Sequence, residues 1–316
     1  FSGESIVSTY HHGCEFPGYS QEVFWGDKWD ALKYGQEVDF GRSFTEQFGE
    51  LSRKVPRLGI VNKQSQNSDY CNFSFANKNC YLTFGSHYEE DCMYGRYSTK
   101  NKDCMDYFWC YGSTLCYECM FCSNCYGCVQ LERSEQCSDC YFSYDLKGCK
   151  NCLFSSNLRN KQYYIFNKEH TKEEYEDYFE KLKISSEGQW GKLREGWLKF
   201  RTENAIFRDV YQVNCVDCEG NDHQNSKNLK HCFASSDCED CAYGVQMDNC
   251  FNCIDNSHLG YDKCDLLYNC VGNNGNYKSI CCDSCWHSSE LLYCNLCFSS
   301  KNCFGCIGLH QKQYCF

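Results

Sequence analysis

Cysteine falls at Cys80, Cys92, Cys104, Cys116, Cys128, Cys140 and Cys152, one every twelve residues. A second column stands beside this one at Cys125, Cys137 and Cys149. Six residues after each ladder cysteine the chain reads Ser86, Ser98, Cys110, Cys122, Ser134, Leu146 and Leu158. A fixed short period with small or apolar residues in register marks units that stack. Twelve residues are too few for a helical repeat and suit one coil of a β-solenoid, with each turn about 4.8 Å from the last. The residue before the ladder is Asn79, Asp91, Asp103, Asp139 or Asn151 in most registers. These types tolerate left-handed backbone angles, so they suit corners. We therefore expect a mainly β chain of two cysteine-laddered β-solenoids with 12-residue coils, an aromatic N-terminal cap and a helical connector. Cys116, Cys119, Cys122, Cys125 and Cys128 come every third residue. If all four such positions of a coil point inward, side chains fill the lumen. Function then lies on the outer faces or in the cysteines themselves.

Composition fits a scaffold of this kind. The 316 residues include 32 Cys, 25 Tyr and 22 Phe but only 2 Pro, and aliphatic residues are scarce. Cysteine, serine and aromatics must fill the interior, and free Cys packs as a small hydrophobe. A net charge of −11 argues against nonspecific nucleic-acid binding, which needs clustered Lys and Arg. No apolar run is long enough to span a membrane. Phe1 is not an initiator Met, and a leader or N-terminal module upstream is the expectation.

The beat divides the chain. Residues 1–65 lack it and read as an aromatic segment capping the first coil, with clusters at Phe24-Trp25-Gly26-Asp27-Lys28-Trp29-Asp30. Ser43 and Glu46 form a capping-box pattern. Phe44, Phe48, Leu51 and Val55 share a helical face, and Pro56 stops the helix. Residues 66–166 form the first solenoid. Residues 167–210 break the period: Thr171 with Glu174 opens a helix whose Tyr175, Tyr178, Phe179 and Leu182 share a face. A second helix is expected between Trp190 and Tyr211, and together they read as a connector packed on the solenoid. Residues 211–316 repeat the first lobe. Lys150-Asn151-Cys152 and Lys161-Gln162-Tyr163 recur 151 residues later as Lys301-Asn302-Cys303 and Lys312-Gln313-Tyr314. The first lobe runs on into its helix whereas the second stops at Phe316, so a matching C-terminal helix is expected beyond that point.

One spacing has metal chemistry in it. Cys-x2-Cys-x8-Cys-x2-Cys occurs at Cys125, Cys128, Cys137 and Cys140, at Cys238, Cys241, Cys250 and Cys253, and at Cys282, Cys285, Cys294 and Cys297. Four thiolates from adjacent coils can hold zinc or an iron–sulfur cluster. However, the quartets inherit the twelve-residue period, and a further one at Cys137, Cys140, Cys149 and Cys152 shares two ligands with the first. Overlapping quartets cannot each own a tetrahedral metal. Disulfides are a second option, because neighbouring rungs lie within the Cα separation a bridge can span. A reduced thiol stack used only for packing is the third, and reduced thiols favour a cytoplasmic setting. Cys14 with His11 and His12 is too few ligands for zinc. No P-loop, Gly-x-Ser-x-Gly, His-Glu-x-x-His or haem-attachment motif is present.

The stretch from Phe24 to Asp30, then Lys54-Val55-Pro56-Arg57-Leu58, then Asn151-Cys152 through Asn167-Lys168 and Thr171-Lys172-Glu173-Glu174-Tyr175, carries a resemblance. It resembles the cysteine-rich repeat proteins of uncultured small-genome bacteria and large DNA viruses, often labelled "CaiB/BaiF family". That label is borrowed from acyl-CoA transferases, whose signature this chain lacks. The zinc-ribbon-like knuckles that open such proteins are reduced here to Cys14. The resemblance implies no established activity. The expectation from the residues is a non-enzymatic scaffold with a protein partner or self-association. A zinc or iron–sulfur protein is the alternative, and a thiol–disulfide protein is a second one. The surface proposed for contact is the column after the ladder, Tyr81, Met93, Met105, Tyr117, Val129, Tyr141 and Leu153; the alternative is that the N-terminal segment or the Tyr175–Leu182 helix lies over it.

Overall fold

The computed structural model describes residues 3–184, 186–227, 229, 232–236, 243–244, 252, 254–255, 268–270, 279–280 and 289–316. The chain is mainly β with few helices. It divides into two compact units, Phe1–Gly59 together with Arg208–Phe316, and Ile60–Phe207. The α-helices of the described residues are α1 (Gln21–Trp25), α2 (Phe44–Lys54), α3 (Lys172–Leu182) and α4 (Glu187–Asn204).

In the unit Ile60–Phe207 the chain pairs with itself in parallel, each residue against the one twelve further on. Tyr81 pairs Met93, Phe84 pairs Arg96, His87 pairs Thr99 and Glu90 pairs Lys102. The same register continues through Val129↔Tyr141 and Tyr141↔Leu153. Between successive pairings one residue takes a left-handed backbone: Leu82, Gly85, Tyr88 and Asp91, then Tyr94, Tyr97, Lys100 and Asp103. The third residue of each triplet is buried, as at Cys80, Thr83, Ser86 and Glu89. Each twelve-residue span thus has four short sides, each built of one inward, one paired and one corner residue. Asn and Asp lead one corner column, and Gly112, Asn124, Gly148 and Asn160 stand in a second. Corners such as Leu82, Tyr94, Tyr97, Lys100, Trp109 and Phe121 take the left-handed angle at a cost of roughly 1 kcal/mol each, so there ladder pairing and not turn propensity imposes it.

The hydrogen bonding explains what the inward positions need. The paired residue donates forward, as Tyr81 N does to Cys92 O at 3.0 Å. The corner residue donates back, as Tyr94 N does to Tyr81 O at 3.0 Å. These bonds use the main-chain carbonyls and leave the inward amide without one. A buried amide must still be paired, and a side chain of the preceding rung does it. Ser113 Oγ accepts from Cys125 N at 3.3 Å, Ser134 Oγ from Leu146 N at 3.0 Å and Asn101 Oδ1 from Ser113 N at 2.8 Å.

The C-terminal end of this ladder is closed twice. Lys168–Glu169 turns back antiparallel on Gln162–Ile165, which covers the bare edge. α3 and α4 then lie against the outer face. α3 carries the full reciprocal capping box between Thr171 and Glu174. Tyr175, Phe179, Leu182, Trp190, Trp197 and Phe200 pack onto Phe142, Leu153 and Phe154. Tyr178 departs from the expected face and is exposed. Arg201 holds α4 to the ladder through Glu132 at 2.7 Å and lies over the Tyr144 ring.

In the other unit, Ser289–Leu292 pairs Lys301–Phe304, and Gly220–Gln224 pairs Cys232–Ser236, both parallel at the twelve-residue offset. The N-terminal segment belongs here, and the expected cap on the first coil is corrected. Trp25 stacks on His310 with ring centroids 4.8 Å apart and meets Phe298 at 4.9 Å, while Phe44 of α2 meets Tyr293 and Phe304. The outward rings of residues 293–310 supply an aromatic surface for an aromatic segment, and nearness in sequence did not decide the matter. Ser43 caps α2 through the Glu46 amide, but Glu46 pairs with Arg42 rather than closing a reciprocal box. The helix stops at Lys54, two residues before Pro56.

Candidate functional site

The inward thiols do what the inward serines do. Cys104 Sγ donates to Lys102 O at 3.2 Å and Ser113 O at 3.5 Å, and it accepts the amide of Cys116 one rung on. Cys92 accepts the Cys104 amide and Cys80 the Cys92 amide in the same way. Cys116, Cys119, Cys122, Cys125 and Cys128 are all buried and each donates to a main-chain carbonyl two residues back. Cysteine suits this column because it is small, buries readily and both donates and accepts weakly.

The four sequence candidates of the first lobe lie together in this net. Cys125 and Cys137 are stacked in one column and Cys128 and Cys140 in another, all buried. Donation from the thiols of Cys122, Cys128 and Cys137 holds Cys125 far below the ordinary thiol range. Its donors move the other way: burial first pushes Cys122 up, and hydrogen bonding with Cys116 first, then Cys125, pushes Cys128 up. Cys294 and Cys297 are buried in the second lobe and donate to Cys303 O and Cys306 O. Cys238, Cys241, Cys250, Cys253, Cys282 and Cys285 lie outside the described residues. Among the described residues, no group of three or more His, Cys, Asp and Glu side chains is placed to hold a metal ion. The cysteines of residues 71–152 are free thiols.

A polar cluster inside the same ladder escaped the sequence reading. Glu89 is 1% exposed. Its carboxylate accepts from Tyr107 Oη at 2.8 Å and from Asn101 Nδ2 at 3.3 Å, and its own amide donates to Asn77 Oδ1 at 3.0 Å. Burial pushes its pKa up to about 7. Tyr107 reaches inward because Gly95, one rung earlier in the same column, leaves the space its ring fills. The signal was present in the period. Glu89 stands nine residues after Cys80, the column of Cys125, and Tyr107 three after Cys104, the column of Cys119.

On the outside, the column after the ladder is divided. Tyr141 meets Phe179 of α3 at 4.9 Å and Tyr117 meets Trp190 of α4 at 5.6 Å, and Leu153 is buried. Toward the other end, Tyr81 (40%), Met93 (43%) and Met105 (39%) are exposed, with Tyr94 (48%) beside them. Among the described residues, no helix is long and apolar enough to cross a membrane.

No family model matches the chain, and no curated protein does. Among solved structures, an alignment with a chain described as an acetyltransferase from Desulfovibrio desulfuricans G20 covers 78% of this chain and 66% of that one. Identity is 13% and the TM-score 0.16. A likeness that low carries no argument about fold or activity.

Proposed function

We propose that this protein is a non-enzymatic interaction scaffold made of two β-solenoids with 12-residue coils. The observation that carries the reading is how the first lobe uses its residues. Its thiols are buried and committed to main-chain hydrogen bonds, while an apolar strip, Tyr81, Met93, Tyr94 and Met105, stays open to solvent. A strip of Tyr and Met buries much area on contact and adapts its shape. Photo-cross-linking tests the reading: a cross-linker at position 105 should capture protein in an extract of the source cells. The same group at position 102, on the column where Lys78 and Lys102 pair with Glu90, should not. Equal capture from both positions refutes it.

A second reading, a zinc or iron–sulfur protein, draws on Cys125, whose sulfur has the thiols of Cys122, Cys128 and Cys137 around it. Elemental analysis of protein purified without reductant decides between the two. About one or more tightly held metal ions per lobe would favour the second.

A further inference from the structure

We propose that the open half of the outer column, from Tyr81 through Met93 to Met105 with Tyr94 beside it, is the docking site for an amphipathic α-helix of a partner protein. That helix would carry an aromatic or aliphatic face flanked by basic residues. The inference rests on the scaffold reading and names the partner's chemistry.

Continuity is the first ground. The strip is one end of a column whose other end is already covered by helices of this chain. Phe179 of α3 lies on Tyr141, and Trp190 of α4 lies on Tyr117 and, at 5.1 Å, on Phe142. The second lobe repeats the arrangement with a different helix. Phe304, which the offset of 151 makes the counterpart of Leu153, is covered by Phe44 of α2 at 5.1 Å. Three helices of dissimilar sequence thus seat on equivalent positions. The physical reason lies in the spacing. Column residues are about 4.8 Å apart, and residues three or four apart on a helix are about 5–6 Å apart. Rings on a helix therefore meet successive rungs nearly in step, as Tyr175 and Phe179 do over residues 141–163 with centroids 6.1 Å apart.

Charge is the second ground. Asp91 and Asp103 occupy the corner column on one side of the strip, and Asp106 and Glu118 the column on the other. Of the nearby cations, Lys78 and Lys102 pair with Glu90, Lys102 also feels Asp91 and Asp103, and Arg96 lies over Tyr97. Burial and then the neighbouring Glu118 raise the Asp106 pKa, so a cation placed between Asp106 and Glu118 would relieve the repulsion between them. α4 shows the type, with Lys192, Arg194, Lys199 and Arg201 around its aromatic face and Arg201 bonded to Glu132. From Tyr81 to Met105 the strip spans about 10 Å, which matches a helical segment of about seven residues.

The test uses a fluorescein-labelled peptide with the sequence of residues 187–204, added to the intact chain and followed by anisotropy. Saturable binding is expected, weakened at least tenfold by Met93→Lys with Met105→Lys, weakened by added salt and lost when the peptide carries Leu193→Pro. Both substituted side chains are about 40% exposed, and circular dichroism melting verifies folding. Met93→Gln with Met105→Gln serves if the lysines unfold the unit. Three results would overturn the inference: no saturable binding, binding indifferent to the strip substitutions, or equal binding of the proline peptide. If the peptide fails while position 105 still cross-links selectively to a protein, the helix is wrong and the scaffold stands. If both fail, both are wrong.

Discussion

Replacing Cys104 asks whether the cysteines are packing or hydrogen-bonding groups. Packing alone ranks Cys104→Ala as milder than Cys104→Ser, because a buried hydroxyl is harder to desolvate than a methyl group. The ladder reverses that order. Cys104 Sγ accepts the Cys116 amide and donates to Lys102 O and Ser113 O. Alanine loses the sulfur, worth about 1 kcal/mol of transfer free energy and about 0.5 kcal/mol of cavity. It also leaves the Cys116 amide buried and unpaired, a further 1–3 kcal/mol or so. The total is about 2.5–4.5 kcal/mol. Serine keeps both hydrogen bonds, as Ser98, Ser113 and Ser134 do in neighbouring inward columns, and should cost roughly 1 kcal/mol. Urea unfolding of the intact chain gives the ranking. Hydrogen exchange at the Cys116 amide gives the cause and should be fast only in the alanine variant. An alanine variant more stable than the serine variant, with Cys116 still protected, would refute the hydrogen-bonding account.

Glu89 predicts a pH dependence. Its folded pKa, raised to about 7, favours the protonated form. Its contribution to stability is therefore full below the unfolded value near 4.5 and is lost as pH rises toward 7. The loss is about 3 kcal/mol at 1.4 kcal/mol per unit. Glu89→Gln, which mimics the neutral acid, should abolish that slope and stabilise the protein at pH 8; an unchanged slope would show that another group titrates. Gly95→Ala should destabilise the first lobe by about 2 kcal/mol or more through collision with the Tyr107 ring. Adding Tyr107→Leu should recover part of it, so additive losses in the double-mutant cycle would place the strain elsewhere. Arg201→Ala should loosen α4 by about 1–2 kcal/mol, seen as faster exchange in residues 187–204 with the ladder amides unchanged. After denaturation without reductant, all 32 cysteines should titrate as thiols; a shortfall would point to disulfides or bound metal.

The twelve-residue beat was legible without coordinates. It predicted parallel pairing at that offset and burial at every third position, because only one residue in three can face a narrow interior. The helices around Phe44 and Thr171 were also legible, since capping residues and apolar spacing act within a few residues of each other. The corners were legible only in part. Asn and Asp mark one column and Gly and Asn recur in a second, whereas Trp109, Phe121 and Arg133 in another are driven into left-handed angles by the ladder on either side. Glu89 and Tyr107 were within reach of the period, but a Glu at an inward position makes sense only once its Tyr and Asn partners are seen to stack above it.

What the sequence determined by itself is thus the offset, the inward columns and the helix starts, all consequences of local geometry repeated along the chain. The tertiary structure decided which surface the aromatic N-terminal segment covers and which half of the outer column remains open. It also decided why the interior is cysteine. Each of these depends on contacts between residues far apart in the chain. Phe44 finds Phe304 because both present rings that must leave water. The thiol of Cys104 matters because an amide one rung away would otherwise be buried with no acceptor.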